Sequence, residues 1–288
     1  MHSKTIGLIT HIGKPGAPEL TSELYHRLQE RGLQVVLEKN TAEGIGKVST
    51  FSVKDCAATA DILLVLGGDG TILRVIHQLD GIHPPIMGVN LGSLGFLTCA
   101  SSSDIEAVLH ALTSGNFQLS HRSMLHVTVK RKGEIIFQQC GLNDAVISRG
   151  EMSRLVKLRV RINGEILTEY NADGLIIATP TGSTAYSLSA GGPILMPDSN
   201  THVITPICPH VLTNRSVIIG NHSEITIHPI REHQSVFLHI DGRESMPVLP
   251  GDLISITKSP HTLPIAILHN MSFSELLRQK LKWSGSNV

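Results

Sequence analysis

Apolar and polar positions follow two different rhythms along this chain. In the first hundred residues, short apolar runs are separated by segments with helical spacing. Thr5–Thr10 reads as a strand, residues 18–31 as a helix closed by Gly32, and residues 34–38 as a second strand. Ile62–Leu66 is continuously apolar, as expected of a strand covered on both faces of a parallel sheet. A helix is expected to begin after Gly70, and residues 85–89 predict another short buried strand. Ser103 with Glu106 predicts a capping box for a helix ending at Gly115. Such alternation points to an open α/β sheet.

From about Arg122 the rhythm becomes two-residue alternation. Residues 124–130 alternate, and Lys132-Gly133 turns the chain into 134–138. Within 155–162, Leu158, Val160 and Ile162 share one face, and Lys157, Arg159 and Arg161 the other. The basic face reads as a solvated sheet surface. Asn163-Gly164 follows, a type I′ hairpin signal. Further strands are predicted over Gly174–Ala178, 216–219, 224–230, 235–240, 253–257 and 263–268, enough for a sandwich-like core. Residues 272–283 return to helix. The expected organisation is an α/β domain over 1–120, a β-rich domain over 121–268, and a C-terminal helix within 269–288 that packs back on the first domain. No internal repeat or low-complexity linker interrupts the chain.

Composition narrows the function classes. The 24 Lys and Arg balance 24 Asp and Glu, so net charge gives no general reason to expect nucleic acid or an anionic membrane as partner. Aromatic residues make up 3% of the chain, too few for a base-stacking platform. Cys56, Cys99, Cys140 and Cys208 are far apart and form no Cys-x-x-Cys pair, which argues against structural zinc and a disulfide scaffold. The 16 histidines are scattered, with no His-Glu-x-x-His helix. The N-terminal apolar segment is short and broken, unlike a secretory leader, and no apolar run has the length of a membrane span. A soluble, cytoplasmic protein is expected.

Gly67-Gly68-Asp69-Gly70-Thr71 stands where a buried strand ends and a helix begins. Glycines there let the backbone approach a ligand, and free N–H groups at the helix start suit a phosphate. The position is also where open α/β sheets bind ligands. A carboxylate beside phosphate suits accepting or orienting a hydroxyl proton, or helping to hold Mg²⁺. The same spacing suits a tight turn with Asp69 capping the helix, and spacing alone does not choose. The loop fits neither the dinucleotide fingerprint nor the Walker loop. A second glycine cluster runs from Gly88 through Asn90, Gly92 and Gly95 to Phe96 and Leu97. A third stretch begins at Asp173, passes Thr179-Pro180-Thr181-Gly182-Ser183-Thr184 and ends at Gly191-Gly192-Pro193. Its hydroxyls and small residues admit a ribose or carboxamide, and equally a decorated bulge and cap.

Together with Leu142-Asn143-Asp144 and the terminal Lys280-Leu281-Lys282-Trp283-Ser284, these segments resemble the bacterial NAD kinase family in order and spacing over nearly the whole chain. The block from Asp173 to Pro193 discriminates, because a glycine loop of this type also occurs in diacylglycerol, sphingosine and phosphofructo-kinases. The resemblance implies a Rossmann-like α/β N-terminal domain of the GGDGT kinase type, an all-β sandwich-like C-terminal domain, and NAD bound between them. It implies transfer of the γ-phosphoryl of ATP, or of polyphosphate, to the 2′-hydroxyl of the adenosine ribose of NAD, giving NADP. Asp69 would be the catalytic base. Gly67, Gly68, Gly70, Thr71 and Arg74 would hold the donor phosphates with Mg²⁺ or another divalent metal, and no dedicated protein metal cluster is expected. NAD would be bound by Asp69, Gly70, Phe96, Asn143, Asp144, Arg154, Asn171, Asp173, Thr184, Ala185, Tyr186, Ser187, Leu188, Ser189 and Arg243. Asn143 and Asp144 would read the adenosine end and Asp173 the nicotinamide end. A homo-oligomer is implied, a tetramer or dimer with a site shared between subunits. The sequence departs from the family's usual pattern at Asn171, often basic, at Arg243, often glutamine, and at Cys99, often acidic. A lipid or sugar kinase would need a different acceptor site in place of Asn143-Asp144 and the third stretch; a dinucleotide sensor would bind without turnover.

Overall fold

In the computed structural model, residues 4–79, 84–150, 155–211, 213–230, 236–268 and 272–283 are described. They form two units, one of residues 1–121 and 263–288, the other of residues 122–262.

The first unit is the α/β domain. Its elements are β1 (Thr5–Thr10), α1 (Ala17–Glu30), β2 (Gln34–Leu37), α2 (Lys39–Gly44), α3 (Val53–Thr59), β3 (Ile62–Leu66), α4 (Asp69–Ile76), β4 (Ile86–Asn90), the two-residue β5 (Ala100–Ser101) and α5 (Ile105–Ser114). The strands are parallel in the order β2-β1-β3-β4, with β5 on β4. Every residue of β3 is buried, and each such apolar side chain contributes roughly 1.5–3 kcal/mol of transfer free energy. α1 buries Ala17, Thr21, Leu24 and Leu28, one stripe at helical spacing.

The capping box lies two residues earlier than Ser103–Glu106. Asp104 accepts the Ser101 amide at 2.9 Å and starts a short 3₁₀ turn before α5. Glu106 instead pairs with Arg27 and Arg31, while Gly115 closes the helix at φ 76°.

The second unit is the β-rich domain. Its strands are β6 (Gln118–Arg131), β7 (Glu134–Gly141), β8 (Asp144–Arg149), β9 (Val156–Ile162), β10 (Glu165–Ala172), β11 (Gly174–Ala178), β12 (Thr201–Ile207), β13 (Val217–Gly220), β14 (Ile225–Pro229), β15 (Val236–Ile240), β16 (Arg243–Val248) and β17 (Leu253–Ile267), with α6 (Tyr186–Ser189) after β11. One layer has the order β13-β12-β11-β8-β15-β16, and the other contains β10-β9-β14-β17. Ile147, Leu175 and Leu238 from the first layer share a core with Leu158, Ile227 and Ile254 from the second. Lys132-Gly133 and Asn163-Gly164 turn with φ of 52°, 89°, 51° and 86°, the positive values a type I′ hairpin needs. On β9, Lys157 and Arg159 both pair with Glu169 of β10.

Where two strands were expected over 253–268 there is one. Pro260 is exposed, and the Ser259 hydroxyl accepts the His261 amide at 3.1 Å. The missing N–H of proline therefore does not break the strand. Residues up to Thr262 belong to the second unit; Ile265 pairs in parallel with Ile86 in the first. The second unit thus ends at 262, six residues before the expected boundary. α7 (Phe273–Leu281), capped by Ser272 and Glu275, belongs to the first unit.

Candidate active site

In the first unit, β1 and β3 are neighbours, with Thr10 opposite Leu66. The loops leaving their C-terminal ends consequently lie side by side, joined by a 2.9 Å bond from the His11 amide to the Leu66 carbonyl. Between them is a pocket of about 280 Å³ lined by His11, Lys14, Gly68, Gly70, Thr71 and Arg74. It combines the start of α4 with two cationic side chains, an arrangement suited to phosphate. Gly67 is buried beneath it, where a Cβ would stand 2.3 Å from the Thr71 hydroxyl. His11 and Lys14 escaped the sequence reading because they belong to no motif. The signal was available in their position just after the β1 strand.

Asp69 is the first residue of α4. It does not cap the helix; its carboxylate points to the second glycine cluster. Oδ2 accepts the Phe96 amide at 2.8 Å, and Oδ1 the Leu97 amide at 3.1 Å. A Cβ at Gly95 would lie 1.9 Å from Oδ1, so glycine is required there for this seat. Each carboxylate oxygen retains further lone-pair capacity. Phe96 is half-buried, and its ring packs 6.3 Å from that of Phe273 on α7.

The second unit contains a pocket of about 390 Å³ along the outer side of β8, lined by Asn143, Asp144, Val146, Ser148, Ala185, Tyr186, His239, Asp241 and Gly242. Asp241-Gly242 is the β15–β16 hairpin turn, with φ of 51° and 76°. The Asp241 carboxylate accepts the amides of Leu142, Asn143 and Asp144 at 2.8, 2.7 and 3.0 Å. Burial, and then the charge of Asp241, push the Asp144 carboxyl up to about 7. A protonated Asp144 can donate as well as accept. Thr179 braces the same segment: its hydroxyl donates to the Leu142 carbonyl at 2.6 Å and its amide to the Asn143 carbonyl at 2.9 Å. Gly182 then passes so close that a Cβ would lie 2.0 Å from the Asn143 oxygen.

Within residues 184–189, only Ala185 and Tyr186 line the pocket. Thr184 donates to the Thr181 carbonyl. Ser187 is buried, bonded to the Thr205 hydroxyl at 2.9 Å, and so is directed away from any ligand. Leu188 and Ser189 are not among the lining residues, and Arg243 is exposed next to Gly242. Ala178 pairs with Asp144 and Gly174 with Ser148. Asp173 is therefore at the far end of β11 from Asp144, roughly 17 Å along the strand at ~3.4 Å per residue. Its carboxylate accepts from Arg149 at 2.6 Å. Asn171 lies two residues before it, with Oδ1 buried and without a hydrogen-bond partner among the described residues. Arg154 lies outside the described residues. Asp241, the organiser of this pocket, belongs to none of the sequence motifs.

An α/β unit carrying a strand-end glycine loop beside a cationic pocket, followed by a β-sandwich, is the architecture of a two-domain phosphotransferase of the GGDGT type. The sequence matches the ATP-NAD kinase N-terminal domain over residues 6–117 and the ATP-NAD kinase C-terminal domain over residues 142–268. It is 40% identical over 280 residues to NAD kinase of Geobacter metallireducens, covering 97% of this chain and 99% of that protein. With NAD kinase of Symbiobacterium thermophilum it is 39% identical over 275 residues, 95% and 97% of the two chains. Yeast NADH kinase complexed with NADH superposes with a TM-score of 0.91 at 28% identity, covering 99% of this chain and 89% of that one. An Archaeoglobus fulgidus NAD kinase in complex with ATP shares the fold, with a TM-score of 0.73 at 23% identity over 98% and 100% of the chains. The chain belongs to the NAD kinase family, kinases that phosphorylate NAD to NADP.

Proposed function

We propose that the chain transfers the γ-phosphoryl of ATP to the 2′-hydroxyl of the adenosine ribose of NAD, with Asp69 as base. The observation that carries this reading is the main-chain seat of Asp69 beside a pocket lined by Lys14 and Arg74. The attacking 2′-oxygen bonds to the γ-phosphorus as the bond to the β,γ-bridging oxygen breaks. The hydroxyl proton passes to Asp69, and ADP leaves. Lys14, Arg74 and the α4 amides offset the charge of the donor phosphates, and alignment supplies most of the acceleration.

Among the described residues, no group of three or more His, Cys, Asp or Glu side chains gathers to hold a metal. Asp69, with lone pairs to spare beyond its two amide bonds, fits a divalent ion arriving on the triphosphate. Mg²⁺ bound there would neutralise charge on the transferring group. Asn143, Asp144, Ala185 and Tyr186 hold the adenosine end of NAD. Asp173, distant along β11 from Asp144, serves the nicotinamide end in a second copy of the chain, with Asn171 of β10 two residues before it, which accords with a homo-oligomer whose sites are shared. Among the described residues no helix is long and apolar enough to cross a membrane; the four free thiols suit a reducing, cytoplasmic compartment.

Incubation with ATP, Mg²⁺ and NAD, assayed for NADP, tests the reading, with Asp69→Asn alongside. NADP formed by the parent and nearly lost in the variant is expected. No NADP from the parent overturns the acceptor assignment, and near-normal turnover by the variant removes Asp69 as base.

A further inference from the structure

We propose that Cys140 and His126 form a thiol-modification site in the second unit, at which a hydroperoxide oxidises Cys140 to a sulfenic acid and loosens the acceptor pocket. The effect on the pocket rests on the NAD reading above; the modification site itself does not.

The site follows from strand register. His126 of β6 and Cys140 of β7 are directly paired, so their side chains stand on the same side of the ladder. Leu125, Val127 and Val129 of β6 point into the sandwich core, which turns His126 to the other face of the strand. The Cys140 Sγ lies 3.6 Å from His126 Nδ1 and 3.6 Å from the Ser259 hydroxyl of β17. Cys140 and His126 are both half-buried, within reach of a small oxidant. A ring nitrogen on one side and a hydroxyl on the other place a proton acceptor and a polar partner against the sulfur.

The other thiols provide an internal contrast. Cys56 and Cys99 are buried, and burial pushes each up to about 12, leaving them protonated and unreactive. Cys208 is exposed, but no hydrogen bond reaches its sulfur among the described residues. Among the described residues, Cys140 alone of the four combines access with an adjacent imidazole.

The chemistry balances. His126 Nδ1 accepts the thiol proton, and the sulfur attacks one peroxide oxygen. The O–O bond breaks, the sulfur is oxidised and the peroxide reduced. Departing hydroxide takes the proton from His126 as water.

Cys140 joins the acceptor pocket through Gly141, whose own surroundings are tight. A Cβ on Gly141 would already lie 2.7 Å from Ile240 Cγ2 and 3.2 Å from Asp241 Oδ1. Displacement at Cys140 is therefore passed to Leu142, Asn143 and Asp144, whose amides all rest on Asp241.

The test treats the full-length enzyme with limiting hydrogen peroxide, traps sulfenic acid with a dimedone probe, and locates the label by peptide mass spectrometry. Label is expected on Cys140 well ahead of Cys208. His126→Ala should slow labelling of Cys140 without altering that of Cys208. Cys140→Ser should retain normal turnover before oxidation and keep an unchanged KM for NAD after it, whereas the parent's KM for NAD rises. Equal labelling of Cys140 and Cys208, or no effect of His126→Ala, overturns the site. An unchanged KM for NAD with Cys140 fully labelled overturns the coupling. Failure of the NAD reading would appear separately, as no NADP from untreated enzyme with the labelling pattern intact.

Discussion

Asp241 holds Asn143 by its main chain: the Asp241 carboxylate accepts the Asn143 amide at 2.7 Å and takes the amides on either side as well. Hydrogen bonds to a charged group are worth ~1.5–3 kcal/mol each. Asp241→Asn places an NH₂ group against at least one of these donors. It should raise KM for NAD more than KM for ATP and lower unfolding stability by ~1–3 kcal/mol. Equal rises in the two KM values would count against Asp241 as organiser of the acceptor pocket.

Gly95 makes room for the Asp69 carboxylate by having no side chain. Gly95→Ala puts a methyl group 1.9 Å from Asp69 Oδ1 and must displace the carboxylate. We expect kcat to fall by ~10²-fold or more, the scale of losing general-base help, with thermal stability reduced only modestly. A variant with normal kcat would show that Asp69 can act from another seat.

Lys14 tests the donor pocket. Lys14→Ala should raise KM for ATP about tenfold, the equivalent of ~1.4 kcal/mol, with little change in KM for NAD. Added salt should weaken ATP binding less in the variant than in the parent. An unchanged KM for ATP removes Lys14 from the pocket's function.

Two buried groups in the second unit titrate with opposite consequences. His202 is buried, with neither ring nitrogen partnered among the described residues; burial, assisted by Lys258, lowers it from 6.5 to about 4. The unfolded chain therefore binds this proton more readily, and stability falls as pH drops from about 6.5 to 4. Asp144 rises from 3.8 to about 7. The folded state binds its proton more readily, so stability falls as pH rises from about 4 to 7. Each slope approaches ~1.4 kcal/mol per pH unit, and between pH 4 and 6.5 they offset one another. Urea unfolding of Asp144→Asn should expose the His202 slope, with stability falling as pH is lowered. His202→Phe should expose the opposite slope. Unaltered pH profiles in both variants would refute this account.

The two-domain organisation was legible because its signals are local. A continuous apolar run such as Ile62–Leu66 and a hairpin pair such as Asn163-Gly164 declare themselves within a few residues. α2 and α3 have six and seven residues, too few turns for helical spacing to be read. β8, β12 and β16 carry no such signal; β8 and β12 are largely buried, and without a polar alternate face they show no clear two-residue rhythm. The motifs located Asp69, Asn143 and Asp144. They did not locate Lys14 or Asp241, because these join their sites through pairing of strands β1 with β3 and β8 with β15. Nor did they distinguish Ala185 and Tyr186, which face the pocket, from Ser187, which faces Thr205.

The main-chain seat of Asp69 has a consequence for how the protein can vary. Positions 96 and 97 grip the carboxylate through N–H groups that almost every amino acid carries. Side chains there are free to follow the demands of neighbouring packing, such as the contact of Phe96 with Phe273. Proline is the residue that neither position can accept, because it alone arrives without the hydrogen. The grip on this carboxylate is thus written in the backbone, and much of it can be inherited without being spelled in any one side chain.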